Sequence, residues 1–262
     1  MDLSETLLRV GGRVRQWYAR AQTIVSKESV SIQPLRADLT PVDFPRRVQY
    51  ELRVVWDPDR KGPRGTPEAD VVRDLISVNG RPPREDDEEG CMDPKPVSPE
   101  PLTLLLPERL SESEFTFGGS ARLNDRPVLL VDYQGTSGTE PDIRWKDNCV
   151  TVALQGRSQG RLWVDAETYD VLRMYDRLAG TFEFEVPPQY LRRGVASQMV
   201  IERAESTIQY RPVQFENPRE TLMLPAGVDS VTVIRGATVQ RFRISQRFTD
   251  HRRFLTGGRL LY

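Results

Sequence analysis

The sequence predicts a mainly β (α+β) fold, with one large curved antiparallel sheet forming an incomplete β-barrel. An N-terminal helix and a short Leu-rich helix are expected to cover it. Three observations carry this expectation. Apolar and polar residues alternate over most of the chain. Turn residues recur every ~8–12 positions, as in a meander and not in βαβ units. Helical spacing is confined to the N-terminus and one leucine-rich stretch. The 262 residues suffice for one domain spanning 1–262 with a full core.

The helix is expected over about residues 2–26. Leu3, Leu7, Val10, Val14, Trp17, Ala21 and Ile24 recur in steps of four and three, which puts them on one stripe. Asp2 and Glu5 have capping-box spacing, with Asp in place of the usual Ser or Thr. Gly11 and Gly12 weaken the helix but would permit close approach of the sheet. After Val25 the period becomes two. In "VQYELRVVW", Val48, Tyr50, Leu52, Val54 and Trp56 share one side of a strand, so one sheet face is covered.

"DPDRKGPRGTPE" (57–68) reads as a loop, and "ADVVRDLISVNG" as a strand ending in a turn at Asn79-Gly80. An acidic, Pro-rich surface loop is expected over about 81–97, with five successive acids from Glu85 to Glu89. "SPEPLTLLLPERL" predicts the Leu-rich helix, with Ser98 as N-cap and Pro99 at N1. From Glu114 onward strand follows strand, with one further helical turn at "PPQYLRRG". Roughly ten strands in one sheet favour curling over flatness. The result would be a groove lined by alternate apolar side chains.

Composition excludes several functions. Net charge is −1, from 37 Lys+Arg against 38 Asp+Glu, so the basic excess expected of a nucleic-acid binder is absent. The pairs Arg46-Arg47, Arg192-Arg193 and Arg252-Arg253 read as strand-end and solvated-face charges. No apolar run approaches the ~20 residues of a transmembrane segment. With His251 as the sole histidine and no C-x-x-C spacing, no metal site is expected, and no residue pattern implies a cofactor. Cys91 and Cys149 would close a loop worth about 4 kcal/mol if paired. On composition alone, two reduced cysteines remain equally open.

The one catalytic pattern is G-x-S-x-G over Gly156–Gly160, with Ser158 at its centre. A nucleophile elbow needs a following helix, and "RLWVDAETYDVLRMY" instead alternates like a hairpin with a turn at Asp165–Thr168. "GTSGT" (135–139) lacks the lysine and helix of a phosphate-binding loop. No catalytic residue is therefore assigned.

The hairpin "GRLWVDAETYDVLRMYDRLAG", after a long N-terminal helix and a wide antiparallel pattern, resembles the central hairpin of the LolA/LolB/RseB-like superfamily. That superfamily comprises periplasmic lipoprotein carriers and lipid sensors. "VNGRPP", "CMDPKPVSPEPLTLLLP", "GRLWVDAETYDVLR", "ERAESTIQYRPVQF" and "HRRFLTGGR" further resemble a group of exported bacterial proteins across nearly the whole chain. The resemblance implies a half-barrel with a helical lid over an apolar cavity. It also implies a periplasmic or exported location, with a signal peptide absent from this sequence, and a Cys91–Cys149 disulfide. The activity implied is non-enzymatic binding of a lipid or lipidated ligand. Tyr50, Leu52, Val54 and Trp56 would form the cavity wall, Leu102, Leu105 and Leu106 the lid, and Trp163 a further lining residue. The alternative is a protein-interaction or envelope-sensor module without a small-molecule cavity, using an envelope protein partner.

Overall fold

Alternation becomes strand along most of the chain in the computed structural model, which describes residues 2–20, 24–61, 67–85, 87, 100–136, 140–146, 149–154, 156–191, 196–216, 219–236 and 238–253. One α-helix, α1 (Leu3–Arg20), precedes the strands β1 (Ile24–Pro34), β2 (Arg46–Lys61) and β3 (Pro67–Val78). Next come two 3₁₀ segments, Glu100–Leu105 and Pro107–Glu112, and the strands β4 (Ser113–Leu123) and β5 (Arg126–Gly135). A short hairpin follows, β6 (Asp142–Lys146) and β7 (Cys149–Ala153), and then β8 (Ser158–Asp165), β9 (Val171–Leu178) and β10 (Phe182–Glu185). Three long strands end the described chain: β11 (Gln198–Glu216), β12 (Arg219–Arg235) and β13 (Val239–Arg253).

Among the described residues eleven strands form one sheet, ordered β3-β2-β1-β13-β12-β11-β9-β8-β5-β4, with β10 also paired to β11. Every pairing is antiparallel. The first and last strands meet in the middle, and the edges are β3 and β4, which adjoin in sequence. The sheet is therefore an open meander and not a closed barrel. β6 and β7 form a separate two-stranded piece.

Four elements differ from the sequence expectation, each for a physical reason. The helix stops at Arg20, and Ile24 belongs to β1, where it pairs with both Val54 and Arg253. Two sheet ladders outweigh helical spacing there. Of the expected loop 57–68, residues 57–61 and 67–68 are strand, with Asp57 paired to Glu68 and Lys61 to Pro67, and 62–66 lie outside the described residues. The Leu-rich segment is two 3₁₀ pieces and not one helix. Pro107 cuts it, and Leu106 before it is extended, with φ −65° and ψ 136°. Ser98 and Pro99 lie outside the described residues. "SQMVIERAE" and "STIQYRPVQF" are one strand, β11, which absorbs two register shifts, at Ile201/Arg203 and Gln209/Tyr210, without ending.

Turn chemistry is as the sequence reads. Asn79 and Gly80 both have positive φ (49° and 80°), and Val78 bridges to Arg81 across them. At the β8–β9 turn the Asp165 carboxylate accepts the backbone N–H groups of Glu167 and Thr168, both at 2.9 Å. At the start of the acidic loop Arg81 holds Asp87 through two hydrogen bonds of 2.6 and 2.8 Å. With the Arg84 N–H, these lower the Asp87 pKa to about 2. Residues 88–97 lie outside the described residues.

Period two sorts the sheet into a covered and an outer face. The covered face carries the apolar core beneath α1 and the 3₁₀ segments. The outer face carries ion pairs such as Asp132–Arg161, Asp229–Arg247 and Glu51–Arg252. Arg253 of the last arginine pair contacts Glu220. Arg192 and Arg193 lie outside the described residues.

Candidate functional site

The expected cavity wall is filled. Leu52, Leu102, Leu105 and Leu106 belong to one buried cluster with Leu7, Val10 and Val14 of α1 and with Val131, Leu162 and Val164 of the sheet. Leu105 is 0% exposed and Leu106 2%. Val54 packs partly buried on the same cluster. Tyr50 is buried in an adjoining cluster with Val30, Val48 and Phe242. The Trp56 side chain lies outside the described residues. Trp163 does not join the others. Leu162 and Val164 beside it point into the core, so alternation turns Trp163 to the outer face, where the Arg173 guanidinium lies 5.4 Å from its ring centroid.

The cover is fastened at its rim by polar contacts. Arg13 of α1 donates to both Asp170 oxygens at 3.0 and 3.1 Å, and Arg9 donates to the Tyr169 hydroxyl at 3.0 Å. Arg15 reaches Glu108 on the second 3₁₀ segment at 2.6 Å. Tyr169 and Asp170 belong to the hairpin that carries the family resemblance, so this hairpin anchors the helix. Gly11 lies against the first 3₁₀ segment: a Cβ there would stand 2.6 Å from the Leu105 carbonyl oxygen. Gly12 has nothing within 4 Å, so only one glycine of the pair permits a close approach.

A polar cluster interrupts the apolar face between β1, β3 and β13. The Glu28 carboxylate accepts from Arg73 Nε at 2.8 Å and Nη2 at 2.5 Å, and from Gln246 Nε2 at 2.8 Å. Arg73 and Glu28 side chains are 6% and 0% exposed. The Arg73 guanidinium also stacks 4.5 Å from the Tyr50 ring centroid. Sequence reading missed this cluster, although Glu28 and Arg73 both sit at inward positions of alternating strands.

Ser158 is not a nucleophile elbow. It begins β8, and the turn before it is made by Gly156 at φ 70°. Its side chain lines the same space as Asp176 and pulls the Asp176 pKa down. His251 lies on β13, four strand spacings from β8 in the sheet order. That is roughly 19 Å along the sheet at about 4.8 Å per strand. Burial, followed by the nearby Arg211, lowers the His251 pKa to about 4. Asp176 also accepts from the Tyr133 hydroxyl at 2.5 Å. Burial raises the Asp176 pKa against the opposing pull of Tyr133 and Ser158.

The described residues line several open spaces, three of which bear on the site. A hollow of about 470 Å³ on the outer face is lined by Trp163, Tyr175, Arg161 and Asp132. A cleft of about 190 Å³ runs beside α1 at Trp17, Asp170 and Met223. A third, about 340 Å³, opens at Asp176 between β7 and the sheet. None is an enclosed apolar chamber. Cys149 opens β7 and is disulfide-bonded, and Cys91, the other cysteine of the sequence, lies outside the described residues. Among the described residues no group of three His, Cys, Asp or Glu side chains is placed to hold a metal ion, and no helix is long and apolar enough to cross a membrane.

No protein-family model matches the sequence, and no curated protein matches it. Solved structures do. A structure described as an outer membrane lipoprotein-sorting protein domain from Vibrio parahaemolyticus matches over 97% of this chain and 94% of its own, at 10% identity and TM-score 0.43. A DUF1329 family protein from Desulfovibrio piger matches over 98% and 96%, at 10% identity and TM-score 0.44. A LolA superfamily protein from Nitrosomonas europaea matches over 97% and 94%, at 9% identity and TM-score 0.36.

Proposed function

We propose that the chain is a non-enzymatic binding scaffold of the cell envelope, 1–262 as one domain, that works by protein–protein contact. The observation behind this choice is that the covered face is already filled by Leu7, Val10, Val14, Leu105 and Leu106. An acyl chain would have to displace them. Among the described residues the main strand order ends at two edges, β3 and β4. β4 is broken by a register shift at Phe117/Gly119, which blunts an edge. β3 bears the exposed Val72 (48%) and Ile76 (43%) on its outer side. An extended partner segment adding to β3 would gain main-chain hydrogen bonds and cover both side chains.

Mass spectrometry of the protein purified from its native host is the test. An intact protein partner without lipid, lost on Val72→Lys plus Ile76→Lys, is the expected result. Bound acyl lipid, or capture indifferent to both substitutions, removes this reading. The lipid-binding reading has one observation in its favour. At the rim the cover is fixed by partly exposed ion pairs such as Arg15–Glu108, each worth about 0–1 kcal/mol, so displacement is not blocked there. The Cys91–Cys149 bond belongs to the envelope reading, and peptide mapping without reductant checks it.

A further inference from the structure

The register places one inward position from each of four neighbouring strands in a row: Gly160 of β8, Asp176 of β9, Ser206 of β11 and Ser230 of β12. On one side of the row runs an apolar line through Leu162, Met174, Ile208 and Val228, which belongs to the core under α1. On the other side the β6–β7 hairpin closes over a second core around Phe182, Phe184 and Ile201. Neither cover reaches the row itself. There the space of about 340 Å³ opens, with Asp176, Ser206, Ser230 and Thr232 on its floor and Val152 and Leu154 on its wall.

The carboxylate is held in place. Gly160 has no room for a side chain: a Cβ would lie 2.7 Å from the Tyr133 hydroxyl and 1.9 Å from the Tyr175 carbonyl oxygen. Tyr133 therefore crosses Gly160 and fixes one Asp176 oxygen at 2.5 Å. Among the described residues the hydrogen bond to Asp176 comes from the neutral Tyr133 hydroxyl, and the neutral Ser158 side chain lies beside it. Arg157, at the mouth of the same space, has its guanidinium 5.3 Å from the Phe182 ring centroid. A carboxylate sheltered from water, with no cation hydrogen-bonded to it among the described residues, is costly unless something supplies one.

We propose that this row binds a primary ammonium group on a short carbon chain. Asp176 takes the charge, the Ser206 and Ser230 oxygens accept the remaining N–H donors, and Val152 and Leu154 receive the carbon chain. An ammonium brings three donors and no acceptor, which suits one carboxylate beside two hydroxyl oxygens. Asp176 repels an anion. The ammonium belongs either to a free amine or to a lysyl side chain. The inference is independent of the edge-strand reading above.

The experiment is an amide-resolved NMR titration of the whole chain with butylammonium chloride, using butan-1-ol and sodium butyrate as matched controls. Saturable shifts at Asp176, Ser206 and Ser230 are expected with butylammonium alone. Asp176→Asn, which keeps an oxygen for Tyr133, should weaken binding on the order of tenfold or more, the loss of one charge-assisted contact. Ser206→Ala plus Ser230→Ala, which leaves the Tyr133–Asp176 contact intact, should also weaken it. Nα-acetyl-lysine methylamide is the last ligand: tighter binding than butylammonium assigns the site to a lysyl group, and weaker binding to a free amine. Absence of saturable shifts with butylammonium, equal shifts with butan-1-ol, or undiminished binding by both variants overturns the proposal.

Discussion

Two regions of the covered face use the same strands and end differently. Beneath α1 and the 3₁₀ segments, inward positions of β5, β8 and β9 are large and apolar, and leucines from the cover pack among them. A few residues along the same strands, inward positions become Gly160, Asp176, Ser206 and Ser230, and space remains. A helix brings a continuous stripe of side chains to a sheet. A two-stranded hairpin brings only one face of two short strands, and β6–β7 stops short of the row. Whether a strand position is core or site thus depends on what lies above it.

The sharpest way to break this contrast is in the filled region. Arg73→Ala leaves the buried Glu28 carboxylate without its cation and should cost about 3–5 kcal/mol in denaturant unfolding. Leu105→Ala, at a fully buried position, should cost ~3 kcal/mol. Ser206→Ala, in the open row, should change stability by less than about 0.5 kcal/mol. Equal losses at Leu105 and Ser206 would erase the distinction between the regions.

The glycine pair of α1 sharpens it further. Gly12→Ala faces open space and should gain about 1 kcal/mol from helix propensity. Gly11→Ala should lose ~1 kcal/mol in spite of the same propensity gain, because its Cβ meets the Leu105 carbonyl of the filled cover. Thermal unfolding of the two variants should shift in opposite directions.

A pH-dependent effect concerns Asp176. Its folded pKa is raised, so the folded state keeps a proton that the unfolded chain has released. Its contribution is therefore full at low pH and is lost as pH rises from the ordinary carboxylate value through the raised one. Asp176→Asn removes that loss. The variant should gain on the parent as pH rises from 3 to 7, with no gain at pH 3. His251, lowered to about 4, acts in the opposite sense, costing stability as pH falls from its ordinary range toward 4. Taking the difference between variant and parent cancels it.

Much of this was legible in the chain. The alternation in "VQYELRVVW" placed Tyr50, Leu52 and Val54 inward, and the leucines of 102–106 announced the cover. The same rule, applied to "RLWVD", puts Trp163 opposite Leu162 and Val164, so its outer position was available from the sequence as well. The row at Asp176 was not. Its members stand on separate strands, one apiece, and no local window contains two of them.

By itself the sequence determined period, turns and the apolar face, because strand alternation, Asn-Gly turns and the Asp165 turn act within a few residues. Only the tertiary structure decided that the first and last strands pair, that α1 ends at Arg20, and that Asp176 lies beside Ser206 and Ser230. Those outcomes depend on strand order and register. Both are set by long-range hydrogen bonding and packing, and a one-residue slip of β11 would have turned Ser206 to the opposite face.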